Sequence, residues 1–112
     1  MRDLKEKYPE LYDSDFFFEC GPGWYGILKK MSEKLSAIGG VSVSQVKEKY
    51  GTLRVYADHD GTPIETDFWA VIDEAEKASE YVCEQCASPG TLTGTNWYKT
   101  LCDVCAGEKE NA

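Results

Sequence analysis

Cys83-Glu84-Gln85-Cys86 and, fifteen residues further on, Cys102-Asp103-Val104-Cys105 decide how the last third of this chain folds. Each C-x2-C makes a tight turn that aims two thiolates at one point. The fifteen residues between the pairs suffice for a hairpin that returns the second pair to the first. The spacing predicts a structural Zn²⁺ held by Cys83, Cys86, Cys102 and Cys105, in a zinc-ribbon or treble-clef-like module over 83–112. A closed four-thiolate site leaves no open coordination position, so it argues against metal catalysis. Two disulfides, or a dithiol redox pair, are the competing reading. A redox C-x-x-C needs no matched second pair, however. The opening residues MRDLKEKYPELY have no apolar targeting core, which favours a reducing, cytoplasmic setting and metal over disulfide.

Upstream of Cys83 the pattern is helical. Ile64, Phe68, Val71, Ile72, Ala75, Ser79 and Val82 share one face, and Thr62-Pro63-Ile64-Glu65 has the form of a capping box. The module therefore grows from the end of a helix and is not a bead on a linker. Residues 41–57 read as a hairpin, with Val41 and Val43 alternating with serines, then Leu53, Val55 and Ala57 alternating with Arg54 and Tyr56. Glu48-Lys49-Tyr50-Gly51 is its turn, and Asp58-His59-Asp60-Gly61 is a second turn. Before the hairpin, Trp24, Ile27, Leu28, Met31, Leu35 and Ile38 mark a helix that Gly21-Pro22-Gly23 opens and Gly39-Gly40 closes. Phe16-Phe17-Phe18 enters the core, as a short strand or an irregular segment. Residues 1–15 are charged; Leu4, Tyr8 and Leu11 share helical spacing, but Pro9 limits any helix there to a short piece, and a loose N-terminal arm is an equal reading. The expected fold is α+β: helix, hairpin and helix over 16–82, then the four-cysteine module, whose end, GEKENA, should fray.

The chain has 112 residues, enough for one compact domain with a metal-stapled end. Hydrophobic content of 42% excludes general disorder. Twenty acidic against twelve basic residues give a net charge of −8, which disfavours non-specific binding to DNA or to anionic membranes. No window approaches the length of a membrane span.

Several residues carry functional expectations. Acidic side chains along the second helix, among them Glu65, Asp67, Asp73, Glu74, Glu76 and Glu80, lie off the apolar stripe. Asp73, Glu76 and Glu80, with Trp97 and Tyr98 from the loop of the cysteine module, form a surface for a basic protein partner. The alternative is a nucleic-acid contact through Lys47, Lys49, Tyr50, Arg54 and Lys99, where basic and aromatic residues interleave. His59 is the single histidine, which excludes two-imidazole chemistry. Its place between Asp58 and Asp60 reads as a polar turn before a calcium loop, because further ligands at set positions are lacking. Cys20 reads as a structural thiol beside three phenylalanines, ahead of a nucleophile paired with His59. The chain has no phosphate-binding loop and no G-x-S-x-G.

Three segments together resemble a family of small phage and prophage proteins. They are Glu19-Cys20-Gly21-Pro22-Gly23-Trp24, then Gln45-Val46-Lys47-Glu48-Lys49-Tyr50-Gly51-Thr52-Leu53-Arg54, then the cysteine pairs ending in Leu101-Cys102-Asp103-Val104-Cys105. The resemblance covers most of 16–105 and implies a source more than an activity. With the charge and the closed metal site, it leads to the expectation of a non-enzymatic, zinc-stabilised phage protein in the bacterial cytoplasm. Its partner would be a host protein with a basic nucleic-acid-binding surface, and its effect inhibition of a defence complex. Ala87 departs from the pattern, since such knuckles usually carry glycine there for a left-handed turn.

Overall fold

The computed structural model describes residues 2–61, 68–94 and 98–111, and the fold is α+β. Its centre is a three-stranded sheet of β1 (Phe18–Glu19), β2 (Val41–Lys49) and β3 (Thr52–His59), in that order. β2 and β3 form the expected antiparallel hairpin, with Lys49 opposite Thr52. The two residues between them, Tyr50 and Gly51, have φ of 54° and 83°. Two positive φ angles give the turn the twist of the flanking strands. Gly51 was legible as a turn residue, but the left-handed Tyr50 was not. Ser44 forms a bulge, because the pairing shifts between Val43 and Gln45. The bulge explains why the buried positions run Val41, Val43, then Val46. β1 lies parallel to β2, with Phe18 opposite Val46. A parallel pair needs a crossover, and here the helix between the strands supplies it.

That helix, α2 (Tyr25–Ile38), follows one 3₁₀ turn at Pro22–Trp24 and ends at Gly39 and Gly40, whose φ angles are 81° and 72°. Trp24, Leu28, Met31 and Leu35 are buried, as the stripe requires. A second core helix, α3 (Phe68–Ala78), contributes Phe68, Ile72 and Ala75. The stripe is imperfect at its edges, where Ile27 and Val71 are only partly buried. The capping box at 62–65 lies outside the described residues. After α3 one 3₁₀ turn, Ser79–Tyr81, carries the chain into Cys83.

The N-terminal arm is a correction. Residues 2–7 form a helix, α1 (Arg2–Lys7), and Leu4, Tyr8, Leu11 and Tyr12 are all buried in the main core. Pro9 ends the helix, as expected, but the chain then doubles back onto the sheet. The Val43 N–H donates to Leu11 O at 2.8 Å. The Tyr12 ring packs 4.9 Å from Phe16 and 5.0 Å from Phe18. The Leu4, Tyr8, Leu11 spacing was therefore a core face, despite the charges around it. Tyr12 also shares a 2.6 Å hydrogen bond with the buried Ser32 hydroxyl, which in turn donates to Leu28 O.

Candidate metal centre

The first cysteine pair sits in a loop fixed by its own backbone. The Ala87 N–H donates to Cys83 O at 3.0 Å, and the Cys83 N–H to Ser88 O at 2.7 Å. Ala87 has φ of 72°, the left-handed turn that its position requires. A β-carbon in that region costs about 1–2 kcal/mol. A short hairpin follows, β4 (Thr91–Thr93) against β5 (Lys99–Leu101), with Thr91 opposite Leu101. The second pair then opens a helix, α4 (Asp103–Asn111), which replaces the frayed tail expected from the sequence. Here the Cys105 N–H approaches Cys102 Sγ at 3.4 Å, and the Ala106 N–H donates to Cys102 O at 2.9 Å.

These local turns bring all four Sγ atoms within 4.8 Å of one another, and Cys86 Sγ and Cys102 Sγ are 3.5 Å apart. A tetrahedral metal with bonds of about 2.3 Å sets its sulfurs about 3.8 Å apart. A disulfide would need about 2.05 Å. All five cysteines are free thiols, so the disulfide reading fails and the donor set fits one metal ion. The electrostatics agree. Donation from the Ser88 hydroxyl and N–H brings the Cys86 thiol down to about 6. Its neighbour Cys102, then burial, pushes the Cys105 thiol up. Four crowded sulfurs resist full ionisation until a cation sits among them.

The centre is bolted to the core through backbone contacts that a single sequence does not reveal. The Gly23 N–H donates to Glu84 O at 2.6 Å, and the Gly21 N–H to Glu84 Oε2 at 2.8 Å. Trp24 Nε1 donates to Val82 O at 2.9 Å. A β-carbon on Gly23 would lie 2.1 Å from Cys83 O, so only glycine lets these backbones meet. On the other side, Lys99 Nζ lies 2.7 Å from Glu48 Oε1 and 3.5 Å from Glu84 Oε1. Glu48 Oε2 accepts the Gly51 N–H, and Thr100 Oγ1 donates to Gly51 O at 2.6 Å. The three segments quoted above thus converge on one buried seam. Glu84, only 6% exposed, was not singled out, because nothing in its local sequence marks it.

The other expected site residues separate. Lys99 is consumed by its two carboxylates and leaves the basic set. Glu48 points into the seam, where it pairs with Lys99 and accepts the Gly51 N–H. Glu76 is also reassigned: its Oε2 accepts the Val55 N–H at 3.0 Å. With Ser79 Oγ, which accepts the Leu53 N–H at 2.9 Å, it covers the open edge of β3. Asp73 pairs with Lys77 at 2.9 Å, and Glu74 with Lys34 at 3.1 Å and Lys30 at 3.4 Å. Glu80 and Tyr98 are exposed. Glu65, Asp67 and Trp97 lie outside the described residues. No helix among the described residues is long and apolar enough to cross a membrane.

Cys20 and His59 do not meet. Glu19, Lys47 and Arg54 are level across the sheet, so Cys20 is level with Leu53, six residues along β3 from His59. That separates them by about 20 Å. Burial, with Glu84 and Glu48 adding to it, pushes the Cys20 thiol up to about 12. It lines a groove of about 730 Å³ beside Tyr12, Phe16, Phe17 and Phe18. Burial of this kind disfavours the thiolate that nucleophilic chemistry would need. His59 Nδ1 accepts the Gly61 N–H at 3.1 Å and the ring stacks on Phe68, while its buried Nε2 has no hydrogen-bond partner among the described residues. No family model matches the chain, and no curated protein or solved structure matches it.

Proposed function

We propose that this chain is a non-enzymatic, zinc-stabilised binding protein of phage or prophage origin. It acts in the bacterial cytoplasm on a host protein. The clustering of four cysteine sulfurs within 4.8 Å carries the metal part of the reading; the phage origin and host partner rest on the sequence resemblance and the charge. Four thiolates in a tetrahedral spacing favour Zn²⁺, and they leave no vacant position for substrate. The order knuckle, hairpin, helix, with the second pair at the helix start, favours a treble clef over a two-knuckle ribbon.

The partner surface is the rim of the metal module. Tyr81 is 70% exposed and Leu92 55%, with Glu80 and Tyr98 beside them in sequence or strand. Exposed aromatics next to an acidic residue suit a basic groove, such as the nucleic-acid-binding face of a defence complex. Asp73 and Glu80 contribute charge; Glu76 does not, because it serves β3.

Two measurements test this. Elemental analysis of protein purified under reducing conditions is expected to find one zinc per chain, and a metal-free folded protein would refute the centre. Capture from a bacterial lysate, with mass spectrometry, is expected to retain a host protein in a salt-sensitive manner. The folded variants Tyr81→Ala and Asp73→Lys/Glu80→Lys should lose it. Equal retention by wild type and variants would remove this surface from the account.

A further inference from the structure

The solvent face of the β2–β3 hairpin has no role in the seam, the metal centre or the core. On it Gln45, Lys47 and Lys49 stand directly opposite Tyr56, Arg54 and Thr52. Lys47 and Arg54 are therefore two cations paired across strands, an arrangement that destabilises a sheet unless something anionic lies over it. Lys49 extends the row by one strand repeat, about 7 Å. Lys30, Lys34, Lys77 and Lys99 are all held in ion pairs. Among the described residues Lys47, Lys49 and Arg54 have no carboxylate partner. Two carboxylates share the face: Glu19 on β1, in register with Lys47 and with its Oε2 accepting from the Gln45 amide at 2.8 Å, and Asp58, two residues beyond Tyr56 on β3. Two tyrosines flank the cations: Tyr56 is 47% and Tyr50 67% exposed. The result is an open sheet face with three cations and two tyrosines towards the turn and two carboxylates beside them, on a chain of net charge −8.

We propose that this face binds single-stranded nucleic acid. Lys47, Lys49 and Arg54 hold backbone phosphates, and a base stacks on Tyr56; the Tyr50 ring already carries the Lys49 ammonium, 5.6 Å from its centroid. Charge alone would suit an acidic peptide equally. The tyrosines decide for nucleic acid, because every base offers a π-face and an acidic side chain offers none. A single strand is specified because bases in a duplex are not free to stack on side chains. The negative charge of the remaining surface is screened beyond about 8 Å at physiological salt. It weakens long-range attraction without preventing contact at the face. Glu48 adds no carboxylate to this patch, since it turns to the other side of the sheet, towards Lys99. The proposal is independent of the protein-partner reading above.

The test is fluorescence anisotropy of labelled oligothymidylate and oligouridylate with the zinc-loaded full chain. Three phosphate contacts predict that log K falls against log salt with a slope of about −2 for a single strand. Lys47→Glu/Arg54→Glu should weaken binding at least tenfold. Tyr56→Ala should weaken it about 5- to 150-fold, the range that stacking one base implies. Lys29→Glu, on α2, should leave it unchanged. No binding at low salt would overturn the proposal. So would binding indifferent to the Lys47/Arg54 reversal. Equal binding of polyglutamate, with no effect of Tyr56→Ala, would overturn it in favour of an acidic protein ligand.

Discussion

Gly23→Ala and Gly26→Ala are the same chemical change three residues apart, and they should have opposite effects. A methyl group on Gly26 meets nothing within 4 Å. There alanine gains helix propensity and loses unfolded-state entropy, so the variant should be more stable by about 0.5–1 kcal/mol. On Gly23 the added carbon would sit 2.1 Å from Cys83 O and 2.6 Å from Glu84 C and O. Normal contact needs more than 3 Å, and all three atoms are backbone, so the metal loop must move away by about 1 Å. Overpacking of that kind costs about 1–3 kcal/mol. The shift also opens the 2.6 Å bond from the Gly23 N–H to Glu84 O, leaving a buried donor at about 1–3 kcal/mol. Against this stands a gain below about 1 kcal/mol from the unfolded chain. The net loss is about 2–4 kcal/mol, a large share of a small domain's stability. At roughly 4–8 °C per kcal/mol for a chain somewhat shorter than this one, the midpoint should fall by at least about 8 °C. Thermal unfolding of the zinc-loaded proteins, followed by circular dichroism, measures both variants. Gly23→Ala melting within about 2 °C of wild type would refute the close approach, and with it the docking of the metal module onto the core.

Three further outcomes follow from particular residues. Ala87→Gly should stabilise the protein by about 0.5–1 kcal/mol, since it relieves the left-handed strain at the knuckle; chemical denaturation measures it, and a loss would show that Ala87 is not in that conformation. Cys83→Ser should abolish zinc binding and melt at least the C-terminal module, because structural zinc contributes on the order of 10 kcal/mol at such sites; retained stoichiometric zinc and a native spectrum would contradict a four-sulfur centre. Ser79→Ala should cost about 1–3 kcal/mol by orphaning the Leu53 N–H at the sheet edge, and hydrogen exchange should show that amide exposed earlier than in wild type.

Local chemistry made several features legible in the sequence. The cysteine spacing determines which four sulfurs can share a metal, because each C-x2-C closes within its own turn. The α2 stripe and its glycine stop are set by helical period and by the conformational freedom of Gly39 and Gly40. The β2–β3 hairpin follows from period-two burial and a glycine turn. Ala87 was legible as an anomaly because the knuckle itself demands a left-handed residue there.

The tertiary structure decided what depends on partners distant in the chain. Charge around Leu4, Tyr8 and Leu11 suggested an arm, yet those side chains complete the core once the Phe16–Phe18 segment is beside them. Glu48, Glu76, Glu84 and Lys99 look alike as solvated charges. Only the meeting of residues 20–24, 48–51 and 99–100 with the first cysteine loop makes three of them a buried network, and only the open edge of β3 assigns Glu76 to the backbone of Val55. The same long-range pairing removes Lys99 from the basic set and holds Glu48 on the seam side of the hairpin. Burial and ion pairing are properties of what lies across a contact, and a side chain's own type does not state what will lie there.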